Sequence, residues 1–292
     1  MADAFAMRVL PLTLVVLIPL AANSILNRLA ILDGEIGALD FAAIRLASGA
    51  AMLALLILWR DGALPRVSAG RITGAASLLI YMLFFSLAYL RLDAGIGALI
   101  LFGGVQVTMF AGALLAREAI PARRWIGAAL AFSGLVYLMW PRGGVDANLA
   151  ASLSMAFAAL GWGIYSLIGR RIGDPLRDTA ENFLLAAPFA ALAALLLSPG
   201  HAMSATGIAL ACVSGAITSA LGYVLWYWLL ARIASSVAAV VQLSVPILIG
   251  VAGIVFLSEP ITATFAIAAA LVLGGVAVAV FGGQRTKGSS GS

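Results

Sequence analysis

Apolar residues run along this chain in long, nearly unbroken blocks, and short knots of Asp, Gly, Pro and Arg separate them. Blocks of about 17 to 25 apolar residues cross a bilayer core as helices, whereas a soluble helix of the same length needs a periodic polar face. The pattern predicts ten spans, at 10–30, 41–59, 72–90, 94–116, 124–140, 149–168, 181–197, 205–231, 235–257 and 261–281, with breaks at Asp33-Gly34, Asp61-Gly62, Asp93 and Pro121. The first block is expected to stay as a span: Asn23, Ser24, Asn27 and Arg28 follow its apolar core where the small residues of a leader cleavage site would stand. The fold class this implies is an all-α membrane protein with ten transmembrane helices.

A second pattern lies over the first. Residues 90–134 return without a gap as 231–275, displaced by 141 positions, so that Arg91 falls on Arg232, Gly112 on Gly253, Glu118 on Glu259, Ile120 on Ile261, Leu130 on Leu271 and Gly134 on Gly275. Matches among Ala and Leu carry little in a chain this rich in both; the Arg, Glu and Gly matches carry more, being scarce or conformationally special. Two copies of one unit are expected, 1–141 and 142–283, with 284–292 as a tail ending in a linker-like Gly-Ser-Ser-Gly-Ser. Five spans per unit is an odd number, so the second copy enters the membrane upside down. Such inverted five-helix repeats place a site at the midplane between two halves able to rock.

Composition agrees with this solvent: 63% of residues are hydrophobic, 10% are charged and mean hydropathy is +1.11. The net charge of +5 does not point to nucleic acid, because the basic residues are spread over short loops. With the N-terminus inside, the inner segments carry Arg8, Arg60, Arg66, Arg71, Arg117, Arg123, Arg124, Arg170, Arg171, Arg177, Arg232, Arg285 and Lys287, thirteen of the seventeen basic residues. That bias predicts both termini on the cytoplasmic side of a bacterial inner membrane. The single cysteine, Cys212, excludes an internal disulfide and a cysteine metal site, and in its apolar run it reads as a small buried residue. Neither a metal nor a cofactor is expected.

Several of these residues resemble a known family. Ten spans in two inverted halves, Glu118-Ala119-Ile120 and Glu259-Pro260-Ile261 after spans 4 and 9, Ser244-Val245-Pro246 in span 9 and a glycine-rich last span in each half look like the EamA-type drug/metabolite transporters. Within that superfamily the chain is most similar to the YddG-type aromatic amino acid exporters. The resemblance implies efflux of aromatic amino acids and of some bulky cationic compounds. The halves depart from each other at Val105 against Pro246 and at Ala119 against Pro260, so any motion of the two is expected to be unequal.

Polar and aromatic side chains inside a span usually face the protein interior, since lipid does not solvate them. The candidate substrate-binding residues are Asn23, Asn27, Tyr81, Gln106, Trp162, Tyr165, Tyr223 and Gln242. Asn23 and Asn27 lie one turn apart, and hydrogen bonding between helices accounts for them equally well. Tyr81, Phe85 and Tyr89 share one face, as do Tyr223 and Tyr227. Trp59, Tyr89, Trp125, Trp140 and Tyr227 lie nearer span ends, where an interfacial belt is the ordinary reading. Arg45, inside span 2, either snorkels to the interface, the reading preferred on sequence, or attracts a substrate carboxylate. Glu118 and Glu259 are expected to cap or pair at helix ends, and His201 to be solvated in a loop. Gly103, Gly104, Pro246, Gly250 and Gly253 are candidate hinges, with close packing of small residues as the competing account.

A membrane-embedded enzyme would need acids, nucleophiles or metal ligands converging at depth, and the spans hold no such cluster. An exchanger of phosphorylated sugars or nucleotide-sugars, an alternative within the superfamily, calls for several cavity cations where this chain offers Arg45 nearly alone. The reading that remains is transport of a small molecule, an amino acid, by alternating access, by a chain in the bilayer expected as a monomer, with a dimer as the alternative. Every carboxylate maps to a terminus, a loop or a span end, so transport is expected to run without obligatory proton coupling.

Overall fold

Each predicted span coincides with a helix in the computed structural model, which describes residues 2–32, 34–65, 68–92, 94–140, 148–170, 173–198, 203–248, 251 and 262–281. The helices are α1 (Ala2–Leu32), α2 (Ala38–Asp61), α3 (Ile72–Ala88), α4 (Ala94–Leu115), α5 (Ala122–Met139), α6 (Leu149–Gly169), α7 (Pro175–Leu197), α8 (Ala205–Leu230), α9 (Ser235–Leu248) and α10 (Ala263–Phe281). Among the described residues α2, α6, α7 and α8 are each long and apolar enough to cross a membrane, and the others carry shorter apolar stretches. Leu55, Val107, Leu195 and Leu197 stand exposed on the outside of the bundle, an apolar surface suited to lipid.

The breaks have local causes. Gly34 and Gly62 take the left-handed conformation at φ 69° and 71°, which glycine adopts without strain, and the Gly62 N–H donates to the Leu58 carbonyl at 2.9 Å to close α2. Asn148, Asp174 and Ser204 cap α6, α7 and α8, their side chains accepting from the backbone N–H of Ala151, Arg177 and Gly207. Pro121 precedes α5 as expected, and the predicted break at Asp93 lies outside the described residues.

Three elements differ from the expectation. Helix α7 begins at Pro175, six residues before the apolar run, because Asp174 caps it and Arg71 neutralises the carboxylates of its first turns. Asp178, expected in a loop, therefore lies in the helix and is buried with Glu181, both paired to Arg71. In α8, residues Ser214–Leu221 form a π-helix, the wide turn that an apolar run does not reveal. In α9 the helix is interrupted after Gln242. Leu243 and Ser244 donate to the carbonyls of Val240 and Val241 in tight three-residue turns before Pro246, which has no N–H for the Gln242 carbonyl. Cys212 is half-buried rather than buried.

Helices here meet backbone to backbone. Helix α5 packs along α10, α3 along α6, α2 along α7 and along the π-helical part of α8, α1 along α8, and α4 against α6 and α9. A Cβ built on Gly127 would stand 2.5 Å from the Gly275 carbonyl oxygen, and one built on Gly215 would stand 2.1 Å from that of Arg45, so these contacts require glycine. Apolar burial gives little drive between helices in lipid, and close approach of small residues supplies dispersion instead.

Candidate substrate site

At the centre of the bundle the inward aromatic faces of α3, α6 and α8 converge. Trp162 of α6 lies 4.9 Å from the Tyr81 ring and 4.8 Å from the Tyr223 ring, and stacks on Tyr165 at 5.8 Å and on Trp226 at 6.3 Å. Tyr165 in turn stacks on Tyr227 at 4.5 Å. All six rings are buried and touch one another, so in this conformation the centre is filled by side chains. Tyr227 belongs to this cluster and not to an interfacial belt; Trp59, Trp125 and Trp140 are exposed, as belt residues would be.

Hydrogen bonds tie the rings to neighbouring helices. The Trp162 Nε1 donates to Gln242 Oε1 at 2.6 Å, linking α6 to the end of the first segment of α9, and Gln242 Nε2 donates to Met109 Sδ at 3.2 Å. Asn23 of α1 accepts at its Oδ1 from Ser214, Thr218 and Ser219, at 2.8, 2.6 and 3.1 Å. The π-helix makes this possible, since its wider turn directs hydroxyls four and five residues apart towards one acceptor. Asn27 Nδ2 donates to Ser86 Oγ at 3.1 Å, and Trp226 Nε1 to Ser166 Oγ at 3.0 Å. Gln106 is half-buried with its Oε1 unpartnered among the described residues, and no described hydrogen bond joins it to the cluster.

Arg45 overturns the snorkelling expectation. Its side chain is fully buried, with 0% exposure, because it turns from α2 across to α8 instead of along its own helix. The Nε donates to Ser219 Oγ at 2.7 Å and the Nη2 to Tyr223 Oη at 2.6 Å, while Cζ lies 5.8 Å from the centre of the Tyr81 ring. Sequence reasoning left the serines and the threonine of α8 unassigned. Ser214-Gly215-Ala216-Ile217-Thr218-Ser219, small and polar inside an apolar run, was the signal that could have found them.

A second polar centre closes the arginine-rich end. Glu118, in the turn after α4, accepts from Arg124 at 3.1 Å, Arg170 at 3.3 Å, the Ser235 N–H at 3.1 Å and the Ser236 hydroxyl at 2.5 Å. Burial opposes its ionisation, but the Ser236 and Ser235 hydrogen bonds and the Arg170 charge outweigh this and hold the carboxyl below its ordinary range. A cavity of about 530 Å³ opens beside this network, lined by Gly112, Leu115, Ile164, Leu167, Arg170 and Ser235. None of the six rings lines it.

Of the candidate hinges, Gly103 and Gly104 pack closely: a Cβ on each would meet Phe132 at 3.1 Å and Ala159 at 2.7 Å. Pro246 follows the break in α9, and Gly250 and Gly253 lie outside the described residues, as do Glu259 and His201.

Comparison with known proteins follows the same lines. The sequence profile of the EamA-like transporter family matches residues 149–281. A protein of Pseudomonas aeruginosa described as uncharacterized is 43% identical over 272 residues, covering 93% of this chain and 94% of its own length. An uncharacterized transporter of Archaeoglobus fulgidus is 25% identical over 252 residues, covering 82% of this chain and 87% of its own. A solved crystal structure superposes with a TM-score of 0.81 over 96% of this chain and 99% of the other at 20% identity, a likeness of fold. With its apolar helices and these relatives, this chain belongs to the EamA-like transporter family of multi-pass membrane proteins.

Proposed function

We propose that the chain exports amino acids, aromatic ones foremost, across a bacterial inner membrane by alternating access between two inverted halves, with both termini cytoplasmic. The observation that carries the reading is the buried ring cluster of Tyr81, Trp162, Tyr165 and Tyr223, drawn from both halves of the sequence and edged by Asn23 and Gln242. Ring faces able to exchange one another for a substrate ring offer stacking of about 0.5 to 1.5 kcal/mol each. The pairing of helices supports the inverted arrangement. If α1–α5 and α6–α10 correspond, α2 meets its counterpart α7, α4 meets α9 and α5 meets α10, while the contact of α3 with α6 is matched by that of α8 with α1.

Arg45 in the same cluster favours zwitterionic or anionic solutes over the bulky cations that the family resemblance admits, because a buried guanidinium repels a second cation. A phosphorylated sugar fits less well: its double charge calls for more than one buried cation, and Arg71 is already paired with Asp178 and Glu181. That pairing also leaves transport driven by the substrate gradient, since the two buried carboxylates of α7 are held by a counter-charge. The interrupted α9 at Pro246 is the element that bends, while Gly103 and Gly104 let α4, which packs against α9, lie close to α5 and α6. The test is counterflow in liposomes with labelled phenylalanine, tryptophan and leucine. Trp162→Ala should reduce uptake of the two aromatic substrates at least several-fold more than that of leucine; equal loss for both would make the rings packing and not recognition.

A further inference from the structure

A fixed charge deep in a membrane protein demands compensation, and Arg45 has no carboxylate partner among the described residues. Its neighbours are neutral: the Ser219 and Tyr223 hydroxyls accept from Nε and Nη2, the Tyr81 hydroxyl lies close beside the guanidinium, and Nη1 is buried with no well-formed hydrogen bond. Asn23 Nδ2 is likewise buried and unpartnered, while the same amide's oxygen already takes three hydroxyls. Both vacant groups are donors. They hang on one relay, because Ser219 Oγ accepts from Arg45 and donates to Asn23. A structural arginine would have found an Asp, a Glu or a backbone carbonyl; buried donors and a positive charge left over at the edge of a ring cluster call for an anionic acceptor from outside the chain.

We propose that Arg45 is the anion-binding group of the translocation site and takes the carboxylate of the substrate, with Asn23 as the second donor and the Tyr81 and Tyr223 rings beside it. A planar carboxylate offers two oxygens to a guanidinium edge, and a single guanidinium balances its single charge. The π-helix of α8 presets the geometry: Ser219 and Tyr223, one turn apart, hold Nε and Nη2 and leave Nη1 free. Arg45 has no exposure in this conformation, so the substrate reaches it only as α2 and α8 separate. This identification rests on the transport reading and adds the chemical class of the solute.

The experiment reads equilibrium binding to the purified full chain in detergent by tryptophan emission, Trp162 and Trp226 lying in the cluster, alongside thermal stability without ligand. The probes are phenylalanine, its decarboxylated twin phenethylamine, benzoate and inorganic phosphate. Phenylalanine and benzoate should bind, phenethylamine and phosphate should not, and Arg45→Gln should weaken phenylalanine binding at least about ten-fold, with Arg45→Lys between the two. Without ligand, Arg45→Gln should melt at or above the wild-type temperature, because it removes an uncompensated charge. Phenethylamine binding as tightly as phenylalanine, phosphate binding in preference to both carboxylates, undiminished binding by Arg45→Gln, or a sharp loss of its unliganded stability would each overturn the proposal. Arg45-dependent binding of benzoate without phenylalanine would retain the carboxylate site and remove the aromatic amino acid reading. Failure of every carboxylate to bind would remove the Arg45 site, while counterflow of labelled phenylalanine and tryptophan tests the transport reading on its own.

Discussion

The hydrogen bond from Trp162 Nε1 to Gln242 Oε1 spans 80 positions of sequence and joins α6 to the break in α9, at 2.6 Å and with both side chains buried. Gln242→Leu keeps the volume roughly and removes the acceptor. The indole N–H is then buried without a partner, at a cost of about 1–3 kcal/mol, whereas the bond itself contributes about 0.5–1.5 kcal/mol net. Trp162→Phe removes the donor together with indole contacts to Tyr81 and Tyr223, and strands the Gln242 oxygen in turn. In the double variant both polar ends are altered together and the stranding cost of the indole disappears. Unfolding of the four proteins in mixed micelles should therefore give a coupling of about 1 kcal/mol, toward the upper part of what polar pairs in membrane helices show. Strict additivity of the two single changes would refute the bond as a working link between the segments.

Two further outcomes follow from packing and charge. Gly215→Ala places a methyl 2.1 Å from the Arg45 carbonyl oxygen and 2.0 Å from Ser48 Oγ, so α2 and α8 must part and the protein should lose about 1–3 kcal/mol, while Gly274→Ala, with nothing within 4 Å, should be neutral or slightly stabilising; micelle unfolding separates the two. For Glu118 the folded carboxyl titrates below its ordinary value of 4.5, so its contribution is present above that pH and is lost as the pH falls through the folded value. Hydrogen-exchange protection of the Ser235 and Ser236 amides, taken relative to their intrinsic rates, should fall as the pH drops below 4.5 in the wild type and be lost at neutral pH in Glu118→Gln; protection independent of both would remove Glu118 as the clamp.

Much of this molecule was legible in the chain. Long apolar blocks dictate spanning helices because no other backbone arrangement satisfies its own hydrogen bonds in lipid, and the glycines after α1 and α2 and Pro121 before α5 mark where helices stop. The same logic turned Tyr81, Trp162, Tyr165, Tyr223, Asn23 and Gln242 inward, and they lie in the central cluster or bonded to its edge. Partners were not legible. Whether Arg45 snorkels or stays inside depends on the hydroxyls a distant helix presents, and Ser219 and Tyr223 reach it only because a π-helical turn rotates α8 and Gly215 lets α2 approach. The start of α7 was hidden for the same reason: Asp178 read as a loop residue and Glu181 as the end of a span until Arg71, more than a hundred positions away, neutralises them. Periodicity and hydropathy are properties of neighbours along the chain, and they determined the helices and their inward faces; the pairing of buried charges and hydroxyls is a property of neighbours across it, and only the tertiary structure decided that.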